Sequence, residues 1–140
     1  MSVRQLSVFA ENEKGSLSKI ISLLADHGLD LRSICVADTE RYGILRIIAN
    51  RPDEAKKVLT DAGFTARVRQ VVVVAIPDEP GSLAAILKIL GDAGINLEYM
   101  YSVLHGAAEK AFMALRVDDN ERTESLLKEA GYEVLSEKEV

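Results

Sequence analysis

The sequence predicts an α+β protein: two ferredoxin-like βαββαβ repeats packed together, with antiparallel sheets and helices on one face. Three observations carry this. First, Gly15-Ser16-Leu17 recurs as Gly81-Ser82-Leu83, an offset of 81 − 15 = 66 residues, and Gly28/Gly94, Leu29/Ile95 and Leu31/Leu97 keep the same offset. Second, strand-like and helix-period runs alternate in one order in both halves. Third, a glycine follows each of the four helix-period runs, where helices stop. A repeat of half the 140 residues marks a duplicated domain rather than a solenoid. The expected domains are residues 1–69 and 70–140.

In the first half, residues 3–10 read as a strand, with Leu6, Val8 and Ala10 sharing a face. Residues 16–27 follow as a helix with the stripe Leu17, Ile20, Ile21 and Leu24, stopped by Gly28. Strands are expected over 31–37 and 42–49, joined by a turn at 38–41. Asn50-Arg51-Pro52-Asp53-Glu54 reads as a helix start, because proline suits the first helical position and acids suit the positive end. Its stripe is Ala55, Val58, Leu59 and Ala62; Gly63 ends it, and a fourth strand covers 64–68. The second half repeats this: strand 71–76, helix 82–93, strands 96–104 and 110–117 around Gly106, a helix carrying Thr123, Leu126, Leu127 and Ala130, and strand 132–136.

This order yields a four-stranded antiparallel sheet in each half. Such a sheet leaves one face bare. Yet Val71-Val72-Val73-Val74-Ala75-Ile76 is apolar on both parities, the pattern of a strand covered on both sides. Ile44, Leu45, Ile47 and Ile48 say the same of the first half. A sister half or another chain is the expected cover. Too few residues separate 68 from 71 for the halves to move freely.

The candidate functional centres are two strand-to-helix corners. In Asp78-Glu79-Pro80-Gly81-Ser82-Leu83, proline fixes φ, glycine permits the tight turn, and Ser82 is placed to accept from an early helical N–H. Asn12-Glu13-Lys14-Gly15-Ser16-Leu17 is the second version, with Lys14 in place of proline. Such corners present unpaired N–H groups and the positive end of a helix, which suit a small carboxylate. Asp78, or Asn12 with Glu11, would receive an ammonium. Leu17, Leu83, Asn96 and Leu97 complete the candidate set; Ile34, Met100 and Tyr101 are further side-chain contacts. The Lys14/Pro80 difference implies unequal affinities. Gly81→Val is expected to block a ligand's approach while sparing the fold.

Composition excludes several classes. The net charge is −5 and the basic residues are scattered, which disfavours nucleic-acid binding. No apolar run approaches the ~20 residues of a membrane span, and the first residues lack a secretory apolar stretch. A cytoplasmic location is the expectation. Cys35 is the single cysteine, so neither an internal disulfide nor a thiolate cluster is expected. No metal and no cofactor are expected. Cys35 reads as a small buried hydrophobe, His27 as a histidine complementing a helix C-terminus, and His105 as a loop residue. Tyr99, Met100 and Tyr101 read equally as packing groups or as a ligand or dimer surface.

A strand, then Asp-x-Pro-Gly-x-Leu, then a helix ending in Gly-Ile-Asn-Leu resembles the ACT domain. The second half carries it as Asp78, Pro80, Gly81, Leu83, Gly94, Ile95, Asn96 and Leu97; the first as Asn12, Gly15, Leu17, Gly28, Leu29, Asp30 and Leu31. Together they cover essentially the whole chain, which resembles small stand-alone proteins made of two ACT domains. The resemblance implies amino-acid sensing, since ACT domains are typically regulatory modules that bind an amino acid where two of them meet. It implies a non-catalytic, allosteric subunit acting on a separate metabolic enzyme; the sheet apolar on both parities suggests self-association, here as a homodimer, unless the two halves cover each other. The alternative is a structural dimerisation or accessory subunit with no ligand of its own. A small phosphohydrolase of this fold would need an arginine-bearing phosphate loop, and neither corner contains arginine.

Overall fold

In the computed structural model, residues 2–38, 41–104 and 109–140 are described. The elements run β1 (Val3–Glu11), α1 (Ser16–Asp26), β2 (Leu31–Asp38), β3 (Tyr42–Ala49), α2 (Pro52–Asp61), β4 (Ala66–Pro77), α3 (Ser82–Asp92), β5 (Leu97–Val103), β6 (Lys110–Val117), α4 (Asn120–Glu129) and β7 (Glu133–Leu135). The expected turn through Thr39 and Glu40, the loop at Gly106 and His105 itself lie outside the described residues.

Two compact units divide the chain: residues 4–69, and residues 70–140 with residues 2–3. In the first, the strand order is β2-β3-β1-β4, with β1 and β3 antiparallel through Leu6↔Ile47 and Val8↔Leu45. One parity of β1 (Leu6, Val8, Ala10) joins Leu45 and Ile47 against Ile20 and Leu24 of α1 and Ala55 and Leu59 of α2. Both helices thus cover one face. In the second unit the order is β5-β6-β4-β7, with Val72↔Leu115 and Val74↔Met113 in register. Val72, Val74 and Ile76 pack there with Ile86, Leu90 and Leu127. The two units share one topology, the ferredoxin-like βαββαβ arrangement.

Where two strands were expected over 64–68 and 71–76, the chain forms one twelve-residue strand, β4. Arg69 and Gln70 are no obstacle to extended backbone, and no glycine or proline interrupts the run before Pro77. Val71 to Val74 are fully buried and Ala75 and Ile76 nearly so, as the unbroken apolar run predicts.

The helix ends follow the glycines. Leu29 N donates to Leu24 O (3.1 Å) and Gly28 N to Ala25 O (2.9 Å), the paired bonds of a Schellman motif. Ile95 to Leu90 (2.9 Å) and Gly94 to Gly91 (3.1 Å) repeat it in α3. His27 caps α1, with Nδ1 2.9 Å from Leu23 O. Cys35 is half-buried rather than buried, because edge strand β2 has a neighbour on one side. The core stripe of α1 starts at Ile20; Leu17, one turn earlier, is 41% exposed.

Candidate functional site

Each corner starts with a three-residue turn at the strand end. Glu13 N donates to Glu11 O (2.9 Å), and Glu79 N to Pro77 O (3.0 Å). A four-residue turn follows, closed by Ser16 N to Glu13 O (3.2 Å) and Ser82 N to Glu79 O (3.3 Å). Its third residue is Gly15 (φ 82°, ψ −4°) or Gly81 (φ 89°, ψ −13°). These are the dihedrals of the third position of a type II turn, where glycine is needed and where proline is favoured one residue earlier. Pro80 meets that preference and Lys14 occupies it in the first repeat. The corners also match in their anchors: Asn12 N bonds Arg41 O (3.3 Å), and Asp78 N bonds Glu109 O (3.0 Å).

Gly15 and Gly81 are the N-cap residues, and among the described residues no side chain caps either helix. The first intrahelical bonds are Lys19 N to Gly15 O (2.9 Å) and Ala85 N to Gly81 O (3.0 Å). Among the described residues, no carbonyl therefore accepts from the N–H of Leu17, Ser18, Leu83 or Ala84. Ser82 does not cap, contrary to the expectation from sequence. It is the first helical residue, and the cap position belongs to the left-handed glycine. The positive φ of Gly81 also means that Gly81→Val would strain the backbone by ~1–3 kcal/mol, so that variant would lower stability as well as block approach.

The surroundings of the corners differ. Beside the first lies a cavity of about 400 Å³ lined by Phe9, Ala10, Glu11, Glu13, Ser16, Lys19, Tyr42, Gly63, Phe64 and Thr65. Of the expected site residues it gathers Glu11 and Ser16. Asn12, Lys14, Gly15 and Leu17 are exposed and do not line it; in the second repeat Asp78, Pro80 and Gly81 are exposed and Ser82 and Leu83 half-buried. Asn96 and Leu97 are not brought together with Gly81: they follow the far end of α3, a helix ~16 Å long at 1.5 Å per residue. There the Asn96 and Asp118 segments clasp each other, Asn96 N donating to Asp118 Oδ1 (3.2 Å) and Asp118 N to Asn96 O (3.2 Å).

Sequence reasoning missed Phe9, Lys19, Tyr42 and Phe64. Lys19, one helical turn after Ser16, was the readable signal; the aromatics come from three separate segments and meet only through the sheet. His, Cys, Asp and Glu form no group able to hold a metal ion among the described residues.

Residues 1–140 match the family described as an ACT domain pair. Protein BT0572 from Bacteroides thetaiotaomicron superposes with a TM-score of 0.92 at 34% identity, covering 99% of this chain and 95% of that one. The ligand-free regulatory subunit of aspartate kinase from Thermus thermophilus superposes with a TM-score of 0.69 at 17% identity over 91% of this chain and 90% of that one, a likeness of fold. The acetolactate synthase small subunit of Buchnera aphidicola subsp. Baizongia pistaciae (strain Bp) is 38% identical over 63 residues, 45% of this chain. That match spans 39% of the relative's own length. The duplicated glycine corners, the twofold βαββαβ topology and the full-length match together place this chain in the ACT domain pair family.

Proposed function

We propose that this protein is a non-catalytic regulatory subunit that binds a free amino acid at its glycine corners and controls a separate metabolic enzyme. The supporting observation is the pair of uncapped helix N-termini, built by the same turns in both repeats, the first beside a cavity of ligand size. An amino acid offers a carboxylate for such amides and an ammonium for Glu11 or Asp78. The two corners fall in separate domains, residues 1–69 and 70–140. The Buchnera relative, a small subunit of acetolactate synthase, supports a metabolic enzyme as the partner. No helix among the described residues is long and apolar enough to cross a membrane, which accords with a cytoplasmic setting.

A thermal-shift panel of the twenty amino acids tests this reading. One or a few should raise the melting temperature at millimolar concentration or below, since a ligand at 100 times its Kd stabilises by about 2.7 kcal/mol. A flat panel overturns it.

The alternative, a structural accessory subunit, draws on a different feature. Edge strand β2 leaves Ile34 and Val36 41% and 46% exposed. An edge of this kind favours pairing with another chain, here a second copy in a homodimer. Co-purification with an enzyme and a flat amino-acid panel together would favour that reading.

A further inference from the structure

We infer that the cavity beside the first glycine corner takes an aromatic or similarly large apolar amino acid, and that its counterpart in the second repeat takes none; this rests on the amino-acid-binding reading above. A counterpart exists: a cavity of about 350 Å³ lined by Ala75, Ile76, Pro77, Glu109, Lys110, Gly131, Tyr132 and Glu133. Its walls stand at repeat-equivalent positions. Phe9, Ala10 and Glu11 become Ala75, Ile76 and Pro77 at an offset of 75 − 9 = 66, and Tyr42, Gly63, Phe64 and Thr65 become Lys110, Gly131, Tyr132 and Glu133 at 110 − 42 = 68. The fold thus makes the same hollow twice, and the side chains give it two chemistries.

The first hollow has an aromatic wall. Phe9 and Tyr42 lie with ring centroids 6.1 Å apart, tilted by 54°, and are 36% and 45% exposed; Phe64 completes the wall. Arg67 Cζ lies 6.0 Å from the Phe9 ring centroid, and the part of these rings that stays exposed at the cavity offers apolar surface to a ligand ring or long aliphatic chain. Charges of both signs stand at the same hollow: Lys19 beside Ser16 of α1, and Glu11 with Glu13. Among the described residues, none of the three is held in an ion pair. A lysine for the carboxylate, an acid for the ammonium and an aromatic wall for the side chain match the three parts of one zwitterion.

The second hollow keeps one aromatic, Tyr132, and the acids Glu109 and Glu133, but not the paired rings or a lysine without an ion-pair partner. Ala75 stands where Phe9 does, α3 contributes no lining residue, and Lys110 Nζ is taken by Glu133 Oε2 at 3.0 Å. Its one lysine is neutralised from within.

Calorimetry on the full chain tests this with L-phenylalanine, L-alanine, 2-phenylethylamine and 3-phenylpropanoate. L-Phenylalanine should bind once per chain. L-Alanine and the two compounds lacking one charge should each bind at least tenfold more weakly. Phe64→Ala should weaken L-phenylalanine at least tenfold, and Tyr132→Ala should leave it unchanged. Lys19→Gln should weaken L-phenylalanine yet leave 2-phenylethylamine, which has no carboxylate, unaffected; general loss of structure would weaken both. Lys19 is exposed, so this variant tests the idea even if Phe64→Ala does not fold. Two L-phenylalanine molecules per chain, or unchanged affinity in Lys19→Gln, would overturn the inference. If a small polar amino acid binds and L-phenylalanine does not, the inference falls and the proposed function stands. If no amino acid binds, both fall.

Discussion

The residue that separates the two corners is Lys14, standing where the second repeat has Pro80. Both precede a glycine with the dihedrals of the third position of a type II turn, so proline fits the geometry at position 14 as it does at 80. Among the described residues the Lys14 amide has no backbone acceptor, so proline would remove no hydrogen bond. Lys14→Pro should therefore stabilise the protein by about 0.4–1 kcal/mol through the unfolded chain, read as a higher denaturation midpoint at unchanged slope. A lower midpoint would show that the two turns differ in more than this residue. The glycines themselves were legible from sequence, because few other residues tolerate the left-handed region. The role of Ser82 was misread for the same reason: once glycine takes the cap position, the serine is already inside the helix.

At the scale of the element, α4 differs from α1 and α3 in having a side-chain cap. The Asp119 carboxylate accepts from Arg122 N at 3.0 Å, and Thr123 Oγ1 returns to Asp119 O at 2.8 Å. Asp119→Ala should cost about 1 kcal/mol, whereas Asp119→Asn, which keeps an acceptor, should cost a few tenths. Thermal unfolding of the two variants measures the difference. The contrast with α1 and α3 bears on function, since an aspartate at those caps would occupy the amides proposed for a carboxylate. Helix ends were read correctly from their glycines because the Schellman bonds are local. The junction at 66–77 was not, since nothing local separates the end of one strand from the start of the next when both are extended.

On the scale of the whole molecule, duplication has kept the backbone and let the side chains diverge. Both units carry the same corners, helix stops and end-of-sheet hollow, while aromatic residues line only the first hollow at the positions of Phe9 and Tyr42. The homodimer proposed here can be tested at β2. Ile34 is exposed enough that Ile34→Glu should leave the fold intact while placing a charge in the pairing surface. Light scattering should then report a monomer where the unaltered chain is a dimer; an unchanged mass would remove β2 from the interface.

What the amino-acid order determined alone is whatever depends on neighbours along the chain: the repeat, the helix periods, the glycine stops and the two corners. The fold class followed, because a βαββαβ order with short connections leaves few arrangements open. What only the tertiary structure decided is which distant residues share a hollow. Phe9, Tyr42 and Phe64 meet because the last residues of β1, the first of β3 and the turn before β4 lie at the same end of the sheet, and strand order, unlike helix period, is not written in any local spacing. Asn96 parted from Gly81 for the complementary reason: a helix that carries the family's motif at both ends also holds those ends a full helix length apart.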